Sequence, residues 1–428
     1  MRVFNYLYQA LCLLFIAGFY SCSNSQSTSG WTQFRGENLS GVSSNEVPVK
    51  WSDTQNIKWK TAIHDKGWSS PVIYGNQVWM TTAREDGKEL YAVCVDFDSG
   101  KIIYDLLMAK PDSVYGKHAV NSYATPTPCI ENGFVYIHFG TYGTFCLDTK
   151  TGKEVWRNME NKCDHVQGPG SSPILYKDIL ILHFEGVDVQ YLIALDKKTG
   201  KQVWKTERPK EIMDLLTPIG KKAYITPIVI QVDGKDLLIS NGAAVCIAYD
   251  PLTGKEIWRV IQGEDSTISS PVFENGTVYF YTSFISPPDG EKYCELLAVN
   301  PKGSGDITKT NILWHIKSPV LQLLTPVIKD GLIYTIDTKS KLLCIDAKNG
   351  ALIWSQKEKG SYNSSPVVAN GMIYFSDYSG KTLIIKEGKT FELIAENQLD
   401  GAIWATPAVS GNSILIRTSK YLYRIEEN

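Results

Sequence analysis

Residues 194–204 read Ala-Leu-Asp-Lys-Lys-Thr-Gly-Lys-Gln-Val-Trp, and this stretch decides the fold because it recurs along the chain. Five copies place an Asp eight positions before an aromatic residue, with Gly between them, and a sixth begins with Asn300. The copies lie at 96–104, 148–156, 196–204, 250–258 and 346–354, and a sixth at 300–314 carries a six-residue insertion. A Gly-containing turn between two apolar runs typically joins antiparallel strands. The stretch therefore predicts a strand, a tight turn and a second strand bearing an aromatic residue.

A second motif, a Ser or Thr followed by Pro and a short apolar run, precedes each copy. The prolines are Pro71, Pro128, Pro173, Pro227, Pro271, Pro326, Pro366 and Pro407, at a mean spacing of 48 residues. Ser and Thr alternate strictly before them, from Ser70 and Thr127 to Ser365 and Thr406. Turn pairs such as Asn132-Gly133 and a second apolar run follow. Each repeat thus predicts four short antiparallel strands, called A to D in chain order.

Eight four-stranded units predict an all-β protein, an eight-bladed β-propeller of four-stranded antiparallel blades. The eighth repeat has strands A, B and C but ends without strand D. Residues 57–63 have the strand-D pattern, with Trp59 at the aromatic position. We predict that this N-terminal strand closes the last blade, because closure removes an exposed strand edge. The propeller then spans 57–428 and follows a tether and lead-in segment, 23–56.

Residues 1–22 are typical of a lipoprotein signal peptide. The apolar run 11–20 is too short to span a bilayer, and Ser21-Cys22 precedes a polar, Ser-rich stretch. We predict lipidation of Cys22, which would make the membrane a partner through an N-terminal lipid. The expected location is the periplasmic side of the outer membrane, with the cell surface as the alternative; an ordinary secretory signal is the simpler reading.

The overall composition describes a globular protein of near-zero charge. The chain has 428 residues, 43 Lys and Arg against 45 Asp and Glu, and 43% hydrophobic residues. This balance argues against a nucleic-acid partner, since such proteins carry a basic excess. Seven cysteines follow the leader, and several occupy a strand-C position that holds Ala in other repeats. We therefore expect neither a disulfide framework nor a Cys-based metal site.

The repeats resemble the pyrroloquinoline-quinone-like repeat, whose Ala-x-Asp-x-x-Thr-Gly-x-x-x-Trp consensus is matched best by 194–204. The lead-in 31–36, Trp-Thr-Gln-Phe-Arg-Gly, resembles that of bacterial exported members. The resemblance covers about residues 31–428 and implies the propeller fold. The family includes quinone-dependent dehydrogenases and the outer-membrane-assembly lipoprotein BamB, so the resemblance does not select one function.

The resemblance also implies what a quinone-dependent member needs, namely an adjacent Cys-Cys pair, a Trp floor, a bound Ca²⁺ and a catalytic Asp. The sequence has no Cys-Cys dipeptide and no Asp-rich loop with Ca²⁺ spacing. We therefore predict no cofactor, regard pyrroloquinoline quinone as unlikely, and predict no metal site.

Four residues share the position ten after the anchor Pro, near the end of strand B: His138, His183, Tyr281 and Arg417. A uronate-polysaccharide lyase needs a general base, which His or Tyr supplies, and a carboxylate neutraliser, which Arg417 supplies. These four are the candidate catalytic residues. The alternative is that the side chains fill space between blades.

Five further residues lie in D–A loops and are candidate ligand-binding residues: His118, His165, Trp68, Trp404 and Tyr224. The D–A and B–C loops open on one face, called the loop face, and they vary most in length at 107–126, 206–225 and 282–292. Aromatic side chains at a funnel mouth stack on sugars or anchor a peptide. Packing against the next blade is the alternative.

Three functional hypotheses follow. The first is a membrane-tethered periplasmic binding or assembly scaffold, with outer-membrane protein assembly as one specific role. The second is a carbohydrate-active enzyme such as a uronate-polysaccharide lyase. The third is a quinone-dependent dehydrogenase. The expected partner on the loop face is a protein or a polysaccharide.

Overall fold

A computed structural model of the chain describes residues 30–36, 39–288, 290–318, 324–337 and 339–427. The predicted signal peptide and Cys22 lie outside the described residues. No helix within the described part is long and apolar enough to cross a membrane.

Short strands make up almost all of the regular structure. In chain order they are β1 Val42–Ser43, β2 Ile57–Ala62, β3 Val72–Tyr74, β4 Gln77–Ala83, β5 Leu90–Asp96, β6 Ile102–Ala109, β7 Cys129–Glu131, β8 Phe134–His138, β9 Thr144–Asp148, β10 Glu154–Asn158, β11 Ile174–Tyr176, β12 Ile179–Glu185, β13 Gln190–Asp196, β14 Gln202–Glu207, β15 Ile228–Val232, β16 Lys235–Asn241, β17 Val245–Tyr249, β18 Glu256–Ile261, β19 Val272–Glu274, β20 Thr277–Tyr281, β21 Cys294–Val299, β22 Gly305–Asp306, β23 Ile312–Ser318, β24 Val327–Lys329, β25 Leu332–Ile336, β26 Lys341–Asp346, β27 Leu352–Lys357, β28 Val367–Ala369, β29 Met372–Ser376, β30 Lys381–Lys386, β31 Leu393–Gln398, β32 Ala408–Ser410, β33 Ser413–Arg417 and β34 Tyr421–Glu426. The helical segments are α1 Lys210–Met213 and two 3₁₀ turns, Gly140–Tyr142 and Pro218–Lys221.

These strands form eight antiparallel sheets, which confirms the predicted eight-bladed propeller. Blades one to four are β3–β6, β7–β10, β11–β14 and β15–β18, and blades six and seven are β24–β27 and β28–β31. Blade five is β19, β20, β21 and β23. Blade eight orders β2-β34-β33-β32, with Ile57 opposite Ile425, so the N-terminal strand closes it as predicted. Two short strands add parallel edges, β1 on β28 and β22 on β18.

The aromatic residue of the recurring stretch joins neighbouring blades. Trp204 of blade three donates its indole N–H to the carbonyl of Pro251 in blade four, at 3.1 Å. Its ring lies against Gly254, where a Cβ atom would meet the ring at 2.6 Å. Gly254 also has a φ of +68°, which favours glycine. Equivalent hydrogen bonds link Trp59 to Phe97, Trp156 to Lys197, Trp314 to Ala347 and Trp354 to Gly388. The Gly and the aromatic residue are therefore the two halves of one blade junction.

The Ser and Thr residues before the prolines form a second circuit around the central axis, here called the hydroxyl ring. Seven backbone N–H groups donate to the hydroxyl of the next blade at 2.9–3.3 Å, starting with Ser70 to Thr127 and ending with Ser365 to Thr406. The eight residues are 1–4% exposed. The ring thus holds the inner ends of the blades together.

The lead-in segment crosses the central channel, and residues 31–36 and 39–43 are here called the plug. The carbonyls of Trp31 and Thr32 accept hydrogen bonds from strands A of blades one and two, and that of Gly41 from blade seven. Arg35 is buried and donates only to backbone carbonyls, among them those of Thr325, Pro326 and Pro366. Burial lowers the pKa of Arg35 to about 9. The plug therefore ties blades one and two to blades six and seven through the channel.

A candidate binding site in the central channel

The channel holds a cavity of about 520 Å³ on the loop-face side of the plug. All eight residues of the hydroxyl ring line it, together with Phe34 of the plug. The loops supply the walls: Trp68, His118, Val120, Asn121, Gln167, Ile219, Lys222, Tyr224, Asp265, Phe284, Asn363 and Trp404. Because every blade contributes, the cavity exists only when the ring is closed. Its volume is in the range of small-molecule sites.

Two of the predicted aromatic residues meet at the junction of blades eight and one. The rings of Trp68 and Trp404 stack with centroids 4.5 Å apart and planes 6° apart. Tyr378 stacks on Trp404 with centroids 4.2 Å apart. Trp68 also donates its indole N–H to the carbonyl of Val120, at 3.2 Å. Trp404 is thus covered on both faces, whereas Trp68 is covered by Trp404 on one face only. Both residues therefore pack against a neighbouring blade and also line the cavity.

The other predicted ligand residues divide between the cavity and the protein interior. His118 is exposed on the lining, and its Nδ1 accepts the backbone N–H of Val120 at 3.3 Å. Tyr224 lines the cavity and donates its hydroxyl to the carbonyl of His165, at 2.7 Å. His165 itself is buried beside Cys163, away from the lining. His165 therefore supports Tyr224 from behind.

Charged groups on the lining are few. Lys222 is buried and donates to the carbonyl of Ile219 at 2.7 Å, and burial lowers its pKa. Asp265 accepts the backbone N–H of Ser266 at 2.6 Å and faces Lys292 at 3.4 Å. The remaining polar lining consists of hydroxyl and amide groups and His118. The cavity is thus close to electrically neutral.

The four candidate catalytic residues are 1–3% exposed and lie in the blade junctions, not on the cavity lining. Tyr281 bonds to the hydroxyl of Thr335 at 2.9 Å, between blades five and six. Arg417 donates to Ser69 and to the carbonyl of Thr81, between blades eight and one. The catalytic roles stay a prediction, and the burial of these groups gives that prediction no support.

The structure brings three histidines together around Phe184, between blades two and three. The ring of His138 meets Phe184 edge-on at 5.3 Å, and that of His165 lies parallel to it at 6.5 Å. Burial lowers the pKa of His138 to about 3 and that of His165 to about 4, so both are neutral at pH 7. His183, next to Phe184, continues into a buried ionic cluster.

That cluster, comprising His183, Glu185 and Arg208, joins blades three and four. Oε1 of Glu185 accepts from Nε2 of His183 at 2.8 Å and also from Nε of Arg208. Arg208 donates further to the hydroxyls of Ser240 and Tyr249, at 2.7 and 3.1 Å. Burial alone would raise the pKa of Glu185, but Arg208 and the hydrogen bond with His183 hold it at about 2. Arg208 begins the long loop 208–225, so the cluster anchors the wall that carries Lys222 and Tyr224.

The cavity lining does not fit the quinone that the repeat family implies. That cofactor is a tricarboxylate and needs several cationic partners and a metal ion, whereas Lys222 is the only Lys or Arg among the described residues of the lining. Among the described residues there is also no group of three or more His, Cys, Asp or Glu placed to hold a metal ion. We derive no quinone chemistry for this site, and its lack of cofactor stays a prediction.

Sequence reasoning missed the hydroxyl ring, the plug and most of the cavity lining, including Lys222 and Asn363. The strict alternation of Ser and Thr was visible, but its meaning depends on the closed circle. Lys222 and Asn363 carry no local signal, because loops of different length bring them to the lining. Arg35 lies in the quoted lead-in, where its type alone does not reveal a buried plug.

Comparison with known proteins gives one matching family. A family model described as outer membrane protein assembly factor BamB matches residues 92–211 and 189–426. No curated protein matches the chain.

Several solved structures share the fold at 12% identity. BamB from Moraxella catarrhalis superposes with a TM-score of 0.59 over 85% of this chain and 98% of its own. A europium-containing methanol dehydrogenase gives 0.53 over 92% and 91%, and the computationally designed Ika8 protein 0.56 over 85% and 97%. Because an assembly factor, an enzyme and a designed protein all match, these likenesses show the fold alone.

Proposed function

The chain belongs to the family of the outer membrane protein assembly factor BamB, and on this premise we propose that it is a non-catalytic binding scaffold in outer-membrane protein assembly. In this proposal a lipid on Cys22 anchors the exported protein at the periplasmic side of the outer membrane. The loop face then points toward a protein partner in the assembly machinery.

The observation that carries the proposal is the exposure of apolar side chains on the two longest D–A loops, beside the cavity mouth. These residues, here called the apolar rim, are Tyr115, Val120, Leu215 and Ile219. Leu215 is 83% exposed and Ile219 47% exposed. Val120 and Ile219 also line the cavity, one from each of the two loops. Exposed apolar groups beside polar ones are typical of protein-interaction sites.

The enzyme hypotheses have less support. The uronate-lyase hypothesis depends on four residues that are buried in blade junctions. The quinone hypothesis depends on a donor set that the lining lacks. A binding scaffold needs only an accessible surface held by a rigid frame, and the apolar rim on the closed ring supplies both.

The decisive experiment introduces negative charges on the apolar rim. Leu215→Asp and Ile219→Asp each place a carboxylate in the proposed contact, and we expect reduced levels of outer-membrane β-barrel proteins in cells carrying either variant. Val203→Asp is the matched control, because Val203 is 50% exposed on an outer strand away from the loop face. Normal barrel levels in both rim variants would refute the assembly role.

The anchor is tested separately with Cys22→Ser. We expect this variant to lose incorporation of labelled fatty acid and to leave the membrane fraction, while the parent chain retains both. Unchanged labelling would contradict lipidation at Cys22.

A further inference from the structure

We propose that the cavity is a binding site for a neutral carbohydrate, with one sugar ring lying against Trp68 and its hydroxyl groups reaching the hydroxyl ring. This ligand is independent of the protein partner proposed above. Four observations support this inference: the shape of the cavity, its aromatic wall, the hydroxyl donors on its lining and its near-zero net charge.

The cavity is deep and its floor is closed. The hydroxyl ring narrows it, and Phe34 of the plug lies beneath. The plug is held to blades one, two, six and seven, so the floor is part of the fold rather than a loose segment. A ligand therefore enters from the loop face and stops at the ring, which suits the end of an oligosaccharide chain.

The aromatic wall is rigid. Trp404 lies between Trp68 and Tyr378, and the indole N–H of Trp68 is held by Val120. Trp68 is half-buried, and only one of its faces is covered by Trp404. A fixed aromatic face with a polar surrounding suits the C–H face of a sugar ring, because both are apolar and flat.

The hydroxyl ring supplies hydrogen-bond donors that the fold does not use. Seven of its hydroxyl oxygens accept a backbone N–H from the preceding blade, from Thr127 to Thr406. Among the described residues no acceptor is found for the protons of these hydroxyls. A hydroxyl has one donor and two acceptor sites, so each ring member retains bonding capacity toward the cavity. A polyol satisfies such groups with its own hydroxyls.

The charge of the lining favours a neutral sugar over an acidic one. Among the described residues of the lining, the charged groups are Lys222 and Asp265, which offset each other, and His118 supplies an imidazole. A uronate or sulfate is best held by a bidentate Arg. Arg35 and Arg417 contact residues of the hydroxyl ring or next to it, and both donate to protein oxygens.

The test is direct binding to the purified full-length protein, in a detergent without a sugar head group. Isothermal titration and tryptophan fluorescence are recorded with cellotriose, maltotriose, xylotriose and mannotriose, and with trigalacturonate as the acidic counterpart. We expect at least one neutral trisaccharide to bind and to outcompete trigalacturonate. No binding by any neutral trisaccharide, or binding by trigalacturonate alone, overturns the proposal.

Variants locate the site. Trp68→Ala is expected to weaken binding about tenfold or more, whereas Trp68→Phe keeps an aromatic face and most of the affinity. Leu352→Ala, on an outer strand, is the control that leaves binding unchanged. Thermal melts of all three verify folding, and equal affinity for Trp68→Ala and the control refutes the site.

The outcome is separable from that of the assembly role. Leu215 is not on the cavity lining. Leu215→Asp is therefore expected to reduce the levels of outer-membrane β-barrel proteins while sugar binding stays normal. Trp68→Ala tests the sugar with no partner protein present. If one experiment fails, the proposal tested by the other is unaffected: the assembly role and the sugar site are tested separately.

Discussion

Arg208 and Arg417 are both buried where neighbouring blades meet, and the two arginines have different partners. Arg208, between blades three and four, pairs with the Glu185 carboxylate beside His183. Arg417, between blades eight and one, bonds to oxygens of Ser69 and Thr81 and to no carboxylate among the described residues. Burial lowers the pKa of Arg417 to about 9, whereas Glu185 raises that of Arg208 above its usual range.

The two arginines serve different parts of the fold. Arg417 helps to close the ring, whereas Arg208 supports the wall of the cavity. At the junction of blades eight and one, strand β33 packs against blade one, and the Ser69 and Thr81 oxygens that accept from Arg417 do not titrate. The same junction also holds ion pairs of Arg424 with Asp98 and of His64 with Asp105. The junction of blades three and four anchors the loop that carries Tyr224 and Lys222, and it contains titratable groups. We expect the bonds of Arg417 to be insensitive to mild acid and the cavity wall to be sensitive to it.

The largest expected effect is that of Glu185→Ala. It leaves Arg208 buried without its counter-ion, which typically costs 3–5 kcal/mol of unfolding free energy, so a loss of about 3–5 kcal/mol is expected in urea titrations. Glu207→Ala is the control, since Glu207 is exposed on the same blade, and it is expected to change stability by less than about 0.5 kcal/mol. Equal losses in the two variants would show that the ionic cluster does not hold the junction.

Acid is the next test, through the buried histidines of blades two and three. In the unfolded chain a His binds a proton below about pH 6.5, whereas folded His138 and His165 do so only near pH 3 and pH 4. The contribution of these histidines to the free energy of unfolding is therefore fully present above pH 6.5. It falls as the pH drops from there, by about 2 kcal/mol for each His at pH 5.

His138→Phe, which fills the site without titrating, is expected to reduce that slope. Hydrogen exchange at pH 5 and pH 7.5 checks where stability is lost. Strands β8 and β12 are expected to lose protection at pH 5 more than β33. Stability that stays level from pH 7.5 to pH 5 would contradict the assignment of neutral, buried histidines.

The smallest effect is expected for Arg417→Met. The substitution leaves oxygens of Ser69 and Thr81 without donors but also removes a buried charge, so a loss of about 1–3 kcal/mol is expected. The pH slope of stability between 5 and 7.5 should equal that of the parent chain. A changed slope would show that Arg417 is coupled to a titratable group, and the contrast between the two arginines would then fail.

Prediction from the sequence succeeded where a residue acts through the repeat. The Gly and Trp of 194–204 pack in neighbouring blades, and their spacing alone predicted strands, turns and the closing strand 57–63. The sequence could not show which positions are buried. His138 and Tyr281 occupy the same repeat position, and the repeat pattern does not tell whether that position faces the central cavity or a blade junction. Trp68 and Trp404 were identified as candidate binding residues, but their stack needs blades one and eight to meet.

The sequence by itself determined the all-β propeller, its eight blades and the closure of the last blade, since short-range periodicity specifies strands and repeat number specifies the ring. Only the tertiary structure decided that Arg35 is buried in a plug, that alternating Ser and Thr form a circle of hydroxyls, and that a cavity remains above them. These features are made by residues hundreds of positions apart. Their contacts arise from ring closure, which no local pattern encodes.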